Sequence, residues 1–324
     1  MLYLNESDIN NLGITWNELV TVIEKSVACM AVNDFAQPIK PYLRYRDLKN
    51  RIIAMPAFIG GEIEMSGIKW IASFPDNIKN NLPRAHSVVI LNNASTGEPL
   101  SIINTALLSI LRTSAVSGAL IKAYDNTRTL KGIKIGIVGW GPIGQYHFKM
   151  VNDLLGDKIE KVYIYDIKPL GENVIDSSLK DKIEIVDSWE KTYIDADIFM
   201  TCTVSKEPYI DLPPKKGSLQ LNVSLRDYKT DILDYVKNAL IVDDWDEVCR
   251  EKTDIEHMHI EKGLKQEDSK SIIDVVCNDF LTTLKEEDVI MFNPMGMATF
   301  DIALGGFFYN KAKEMNIGKA LETL

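Results

Sequence analysis

The chain has little that would tie it to a structural metal, a disulfide framework, a nucleic acid or a bilayer. Its four cysteines, Cys29, Cys202, Cys249 and Cys277, show no C-x-x-C spacing and stand near no histidine framework. That fits a reducing cytoplasm and no structural zinc. The four histidines are equally sparse: His257 and His259 form an H-x-H pair, but with no third ligand in sight a surface helix or loop is the better reading than a metal. His86 and His147 are ambiguous, and His147 reads as packing or phosphate-adjacent rather than catalytic. No Lys/Arg block occurs and the net charge is -10, which argues against nucleic acid as a partner because counterion release needs a basic face. An anionic substrate must then be drawn in by a local basic cluster. The N-terminus turns polar by its fifth residue and lacks a basic n-region, so no signal peptide is expected. No apolar run approaches the ~20 residues of a membrane span, and no internal repeat or low-complexity tract appears.

What is present is ordinary globular composition, 46% hydrophobic and 25% charged over 324 residues, long enough for two domains. The most informative stretch is Lys131 to Gly144, KGIKIGIVGWGPIG. A buried strand, Ile133 to Val138, runs into Gly139-Trp140-Gly141-Pro142-Ile143-Gly144, with the spacing G-x-G-x-x-G and a helix start. Gly139 permits the tight turn, Gly141 lets the backbone approach a pyrophosphate, and Gly144 lets helix and strand pack closely, while the helix N-terminus presents amides to an anion. A second strand, Lys161 to Tyr165, closes in Asp166 at about the 20-residue interval expected of the acid that binds the adenosine ribose. A carboxylate there accepts from both hydroxyls and repels a 2′-phosphate, which favours NAD over NADP. Further on, Ile198 to Val204 reads as a strand whose end, with Thr201, Thr203 and Val204, lines the nicotinamide side at the switch point. Gly217 to Ser224 is another strand, and Asp227 sits just beyond it, a place for a general acid/base or for a helix cap. Leu240 to Val242 and Val289 to Phe292 continue the sheet.

Before the glycine motif the pattern is α+β. A short strand, Met1 to Leu4, precedes a turn that Ser7-Asp8 caps, and a helix from near Thr15 carries its apolar stripe on Trp16, Leu19, Val20, Ile23, Val27 and Met30. Strands are expected at Pro38 to Tyr42, Arg51 to Ala57, Met65 to Ser73, Ser87 to Asn92 and Leu100 to Ile103, then a long helix from Asn104 to Tyr124. A last helix, Phe300 to Glu314, returns to this first domain. Some of its charges sit in apolar company. Lys69 lies in Ser66-Gly67-Ile68-Lys69-Trp70-Ile71-Ala72, where a buried ammonium needs an anionic partner or a lowered pKa. Arg112, between Leu111 and Ala115, either points into a cavity or forms a buried salt bridge. Arg44 and Arg84 follow apolar-Pro segments and invite the same question; Arg46 and Arg51 read as solvent-facing.

Several of these segments carry a family resemblance. Lys40-Pro41-Tyr42-Leu43-Arg44, Arg51-Ile52-Ile53-Ala54-Met55-Pro56, Ser66 to Ile71, Leu111-Arg112-Thr113 and the glycine motif resemble the ornithine cyclodeaminase/μ-crystallin family over essentially the whole chain. Val242-Asp243-Asp244-Trp245, Arg250-Glu251-Lys252-Thr253 and Asn293-Pro294-Met295-Gly296-Met297-Ala298 look like its branch that makes 2,3-diaminopropionate for siderophores and peptide antibiotics. The resemblance implies an α/β architecture: a substrate-binding and dimerisation domain, 1–113 with 301–324, and a Rossmann NAD-binding domain, 114–300. It implies NAD-dependent oxidation of a secondary amine, N-[(2S)-2-amino-2-carboxyethyl]-L-glutamate, to L-2,3-diaminopropionate and 2-oxoglutarate. By motif match Arg44, Lys69 and Arg112 bind carboxylates, with Arg84 a further candidate. Lys69 and Asp227 are the catalytic candidates, Arg112 and Ser224 join the cofactor contacts, and a cytoplasmic homodimer without metal is expected. Ornithine cyclodeaminases carry a glycine pair before the aspartate, whereas this chain reads Leu225-Arg226-Asp227, which weighs against cyclodeamination. Arg226 supplies another positive charge or points to solvent.

Overall fold

The computed structural model describes residues 1–171 and 182–322. The chain forms two compact units, Met1–Val116 with Gly296–Leu324, and Ser117–Met295.

In the first unit β1 (Leu2–Asn5) leads into α1 (Glu6–Asn11). The cap is Asn5 rather than Ser7-Asp8: the Asn5 side chain accepts from the Asp8 amide at 3.1 Å and the Asp8 carboxylate accepts from the Asn5 amide at 2.9 Å. Asp8 thus closes a capping box from the third helical position. Then α2 (Trp16–Ala31) buries Trp16, Leu19, Val20, Ile23, Val27 and Met30. Next come β2 (Phe35–Ala36), β3 (Tyr42–Leu43), β4 (Arg51–Ile59), β5 (Met65–Ser73), β6 (Ala85–Asn93) and β7 (Pro99–Asn104). The expected strand over Pro38 to Tyr42 shrinks to two residues, Tyr42 and Leu43, paired with Ile53 and Ile52; Pro38 and Pro41 have no amide to give a ladder. The long helix, α3 (Leu107–Thr127), starts later than Asn104 because Asn104 is still paired with Val88 in the sheet, and the Thr105 hydroxyl accepts from the Leu107 amide at 3.0 Å.

The second unit continues with β8 (Ile133–Val138), α4 (Pro142–Leu155), β9 (Ile159–Tyr165), β10 (Ile183–Ile185), α5 (Trp189–Tyr193), β11 (Ile198–Thr201), β12 (Leu219–Leu221), α6 (Leu233–Val236), β13 (Leu240–Val242), α7 (Trp245–Val248), α8 (Asp254–Lys262), β14 (Lys270–Ser271), α9 (Ile272–Cys277) and β15 (Ile290–Asn293). Its eight strands are all parallel, in the order β10-β9-β8-β11-β12-β15-β13-β14. Sheet order turns back at β8, which gives the doubly wound arrangement whose ligands lie outside the strand C-termini. Two strands are shorter than expected: the run to Val204 ends at Thr201, and that from Gly217 to Ser224 keeps only Leu219–Leu221. The residues released form loops at the strand C-termini.

The chain then returns to the first unit with α10 (Ala298–Met315) and β16 (Lys319–Ala320). The first unit's sheet runs β16-β1-β7-β6-β5-β4-β2, with β3 also on β4, and α2 and α10 pack on one face. Strand alternation sends Met55, Ala57, Ile59, Met65 and Lys69 to that face, all buried. The opposite face carries apolar rows in register: Tyr3, Ile102, Ile90, Ile68 and Pro56 in one, Val88, Trp70 and Ala54 in the next. Trp70 is 44% exposed there. No helix among the described residues is long and apolar enough to cross a membrane.

Candidate functional site

The glycine loop of the second unit is built as its sequence dictates. Gly139 sits at φ +93, and a Cβ there would come within 2.5 Å of the Cys202 carbonyl oxygen. Only glycine fits both constraints. A Cβ on Gly144 would meet the Gly139 carbonyl oxygen at 2.0 Å, so the first turn of α4 lies directly on the loop. Gly141, by contrast, faces open space, with nothing within 4 Å of a Cβ. Pro142 has no amide to lose at the first helical position, and the Ile143 and Gly144 amides have no carbonyl within α4 to reach. This is the cradle an anionic pyrophosphate requires. Asp166, directly after β9, accepts from the Trp140 amide at 2.7 Å and the Lys168 amide at 2.8 Å. Its carboxylate is thereby held against the glycine turn with lone pairs left for two hydroxyls.

His147, one turn into α4, is a packing residue. It is fully buried, one ring nitrogen 2.8 Å from the Ile143 carbonyl oxygen and the other 2.9 Å from the Ser117 hydroxyl, and burial pushes it down to about 4. His257 and His259 lie on α8, where the His259 ring bonds the Leu264 carbonyl. No metal-holding group of His, Cys, Asp or Glu occurs among the described residues.

Around Asp227 two of the residues expected to contact the cofactor, Thr203 and Ser224, bond to one carboxylate. The Thr203 hydroxyl donates to Asp227 Oδ1 at 2.5 Å, and the Ser224 hydroxyl donates to Asp227 Oδ2. Both side chains therefore hold the carboxylate, while Val204 is exposed. Asp227 itself is fully buried. Beneath it, Oδ2 of Asp254 accepts from the amides of Asp227 and Tyr228 at 3.1 and 3.2 Å and from the Asn222 side chain at 3.0 Å. Leu225 takes the left-handed φ of +62 inside this turn. Burial raises Asp254 to about 7, its hydrogen bonds opposing that rise and the Asp227 charge adding to it. Arg226 bonds the carbonyls of Ser224 and Glu251, so the guanidinium ties the loop to the segment before α8.

The first unit holds the basic residues in two settings. Lys69 and Arg112 are buried and share one carboxylate, Asp301 on α10: Oδ2 accepts from the Lys69 ammonium at 2.7 Å and Oδ1 from Arg112 Nε at 3.1 Å. Both alternatives for Lys69 are realised, since it has an anionic partner and burial pushes it down to about 7 against the pull of Asp301; Arg112 and Lys40 add to the fall. Arg112 forms the buried salt bridge. Lys40 is also buried and donates to the Gly296 carbonyl at 2.8 Å. Arg44, over the Tyr42 ring at 5.0 Å, and Arg84, just before β6, are exposed instead. The buried charged residues of this unit are three cations, Lys40, Lys69 and Arg112, and one anion, Asp301. A groove of about 520 Å³ lined by Pro99, Leu100, Tyr309, Lys313 and Ile317 contains none of them.

Sequence reasoning did not single out Asp301, Lys40 or Asp254 as site residues. Asp301 carries the signal that flagged Lys69, a lone charge in an apolar run, Thr299-Phe300-Asp301-Ile302-Ala303. Lys40, flanked by Ile39 and Pro41 in a loop, offers no such pattern.

Comparison with known proteins bears on the family and the fold. The chain is 35% identical over 337 residues to N-((2S)-2-amino-2-carboxyethyl)-L-glutamate dehydrogenase of Staphylococcus aureus, covering 99% of this chain and 98% of the relative. Its fold matches Δ1-pyrroline-2-carboxylate reductase of Thermococcus litoralis, solved with NADH and L-proline, at a TM-score of 0.88 and 22% identity, covering 99% of this chain and 100% of the other. An archaeal alanine dehydrogenase dimer with bound NAD superposes at a TM-score of 0.83 and 22% identity, over 100% of this chain and 99% of the other. The family model described as ornithine cyclodeaminase/mu-crystallin matches residues 3–316, and the chain belongs to that family.

Proposed function

We propose that this chain is an NAD-dependent dehydrogenase acting on a CH–NH bond, and that its substrate is N-[(2S)-2-amino-2-carboxyethyl]-L-glutamate. The observation that supports the substrate class is that two buried cations of the first unit, Lys69 and Arg112, share the single carboxylate of Asp301. Buried charge without compensation is costly, and a substrate with several carboxylates supplies the compensation. The similarity to the Staphylococcus aureus enzyme points to the same compound.

NAD fits the second unit: the open face of Gly141, the unsatisfied amides of α4 and the acid Asp166 suit a pyrophosphate and an unphosphorylated ribose. When bound, NAD supplies the hydride acceptor for the glutamate Cα. The protein's part is to bind and to move protons. Lys69 and Arg112 bind carboxylate, and exposed Arg44 and Arg84 attract it. Asp227, fixed by Thr203, Ser224 and Asp254, receives the proton of the substrate amine or of the water that hydrolyses the imine. Lys69, pushed down by burial to about 7, is a second candidate for proton transfer. The products, L-2,3-diaminopropionate and 2-oxoglutarate, suit the supply of a siderophore or peptide antibiotic in the cytoplasm.

Purified protein given this substrate and NAD should raise NADH absorbance and release 2-oxoglutarate in equal amounts. Consumption of ornithine without net NADH, or reduction of a cyclic imine in place of this oxidation, would transfer the chain to its cyclodeaminase or imine-reductase relatives. Binding of NAD with turnover of none of these would make it a non-catalytic binding protein. The changed loop Leu225-Arg226-Asp227 favours the dehydrogenase over cyclodeamination.

The protein works as a homodimer paired through the first unit's sheet. The rows of Tyr3, Ile102, Ile90, Ile68 and Pro56 and of Val88, Trp70 and Ala54 form a broad apolar face of a kind that monomers seldom leave in water.

A further inference from the structure

Asp301 divides its two oxygens between two cations, Lys69 on β5 and Arg112 on α3. The manner of the second bond is informative. Guanidinium–carboxylate pairs are frequently two-pronged, which is the stronger contact. Here Asp301 takes Nε through a single oxygen, and the two terminal nitrogens of Arg112 have no acceptor among the described residues. They crowd Gly296 instead, where a Cβ would stand 2.4 Å from Nη1. Lys69 is fixed from a second side by the Ser109 hydroxyl at 3.3 Å, three residues before Arg112 and so on the same face of α3.

We propose that Asp301 is a positioning residue, which by holding the Lys69 ammonium with one oxygen and Arg112 Nε with the other presents the two as a two-point receptor for one carboxylate of the substrate. The proposal rests on the functional reading above only in taking an anionic amino-acid derivative as substrate. Asp301 also sets the charge of its partner. The groups facing Lys69 are Asp301 from α10, which favours the ammonium, Arg112 from α3 and Lys40, which oppose it, and the neutral Ser109. With the carboxylate gone, burial and two like charges act on Lys69 unopposed.

The test is the titration of Lys69 in the full chain labelled with 13Cε-lysine, its resonance assigned by its loss in Lys69→Arg, beside the pH dependence of kcat/KM. In Asp301→Asn the Lys69 midpoint should fall by about 1 to 3 pH units. The Lys69-dependent limb of the kcat/KM profile should move with it, and KM should rise at least ~10-fold. Asp301→Glu, which returns the charge, should restore part of the midpoint. In Arg112→Gln the midpoint should instead rise, because a repelling charge is gone and Lys69 has the carboxylate to itself. A midpoint unchanged in both Asp301→Asn and Arg112→Gln, or lost activity with an unmoved pH profile, would reduce Asp301 to packing and overturn the proposal. Movement of the midpoint in a protein that does not oxidise the aminocarboxyethyl-glutamate would support it while removing the substrate assignment.

Discussion

At the scale of single residues, the informative signal is a charge where the surrounding sequence is apolar. Lys69 and Arg112 announce themselves that way, and burial confirms that neither is a solvated charge. If both bind a substrate carboxylate as proposed, replacing either should cost a charge-assisted bond, about 1.5–3 kcal/mol each. Lys69→Met and Arg112→Ala are therefore expected to lower kcat/KM by roughly 10- to 100-fold in the NADH assay. Two buried groups of the second unit make an opposing pair in stability. Burial pushes His147 down to about 4 from its ordinary 6.5, so the folded state holds fewer protons than the unfolded chain across that window. Its contribution is present above 6.5 and lost as pH falls through about 4. Asp254 has a folded pKa of about 7, above 3.8, so its contribution is present below 3.8 and lost as pH rises through about 7. The two amount to ~3 and ~4 kcal/mol in opposite directions, and urea midpoints of the native protein should vary little from pH 4 to 6.5. His147→Gln should expose a midpoint that falls with rising pH, Asp254→Asn one that rises; parallel profiles in all three proteins would contradict this account.

At the scale of elements, glycine positions tie local conformation to the site. Gly139 and Gly144 are dictated by backbone oxygens that a Cβ would strike, at 2.5 and 2.0 Å, and this much is legible in the G-x-G-x-x-G spacing after a buried strand. Gly144→Val should lower NAD affinity by at least ~10-fold in calorimetry, because α4 can no longer close on the loop. Gly296 is the less expected case. It combines φ +85 with the Arg112 guanidinium against its Cα and Lys40 on its carbonyl. Gly296→Ala should displace Arg112, raise KM at least ~10-fold and lower the melting temperature. Strand limits, in contrast, were legible only where alternation was unbroken: Met65–Ser73 runs as expected, whereas the prolines at 38 and 41 left β3 with two residues. The short strands of the second unit end early because the loops after them hold Thr203, Ser224 and Asp227 in side-chain bonds, which no periodicity reports.

At the scale of the whole molecule, the apolar outer face of the first unit's sheet makes a prediction of assembly. Trp70→Glu, in the middle of a row between Val88 and Ala54, should convert a dimer into a monomer in light scattering without changing the far-ultraviolet spectrum. A monomeric native protein would remove the dimer from this account. The sequence by itself determined the order of α+β and Rossmann segments, the dinucleotide loop with its acid, and which cations are too deeply set in apolar runs to be solvated. These are properties of neighbours along the chain, and chain periodicity, turn chemistry and desolvation suffice to read them. The partner of Lys69 and Arg112 was decided by tertiary structure alone, because Asp301 lies 232 and 189 residues away from them. So was the bonding of Thr203 and Ser224 to Asp227, since a hydroxyl at a strand end suits a cofactor or a carboxylate equally until the loops are folded. Pairing of buried charges is a long-range choice, and it exists only once the sheet and α10 bring the charges within hydrogen-bond reach.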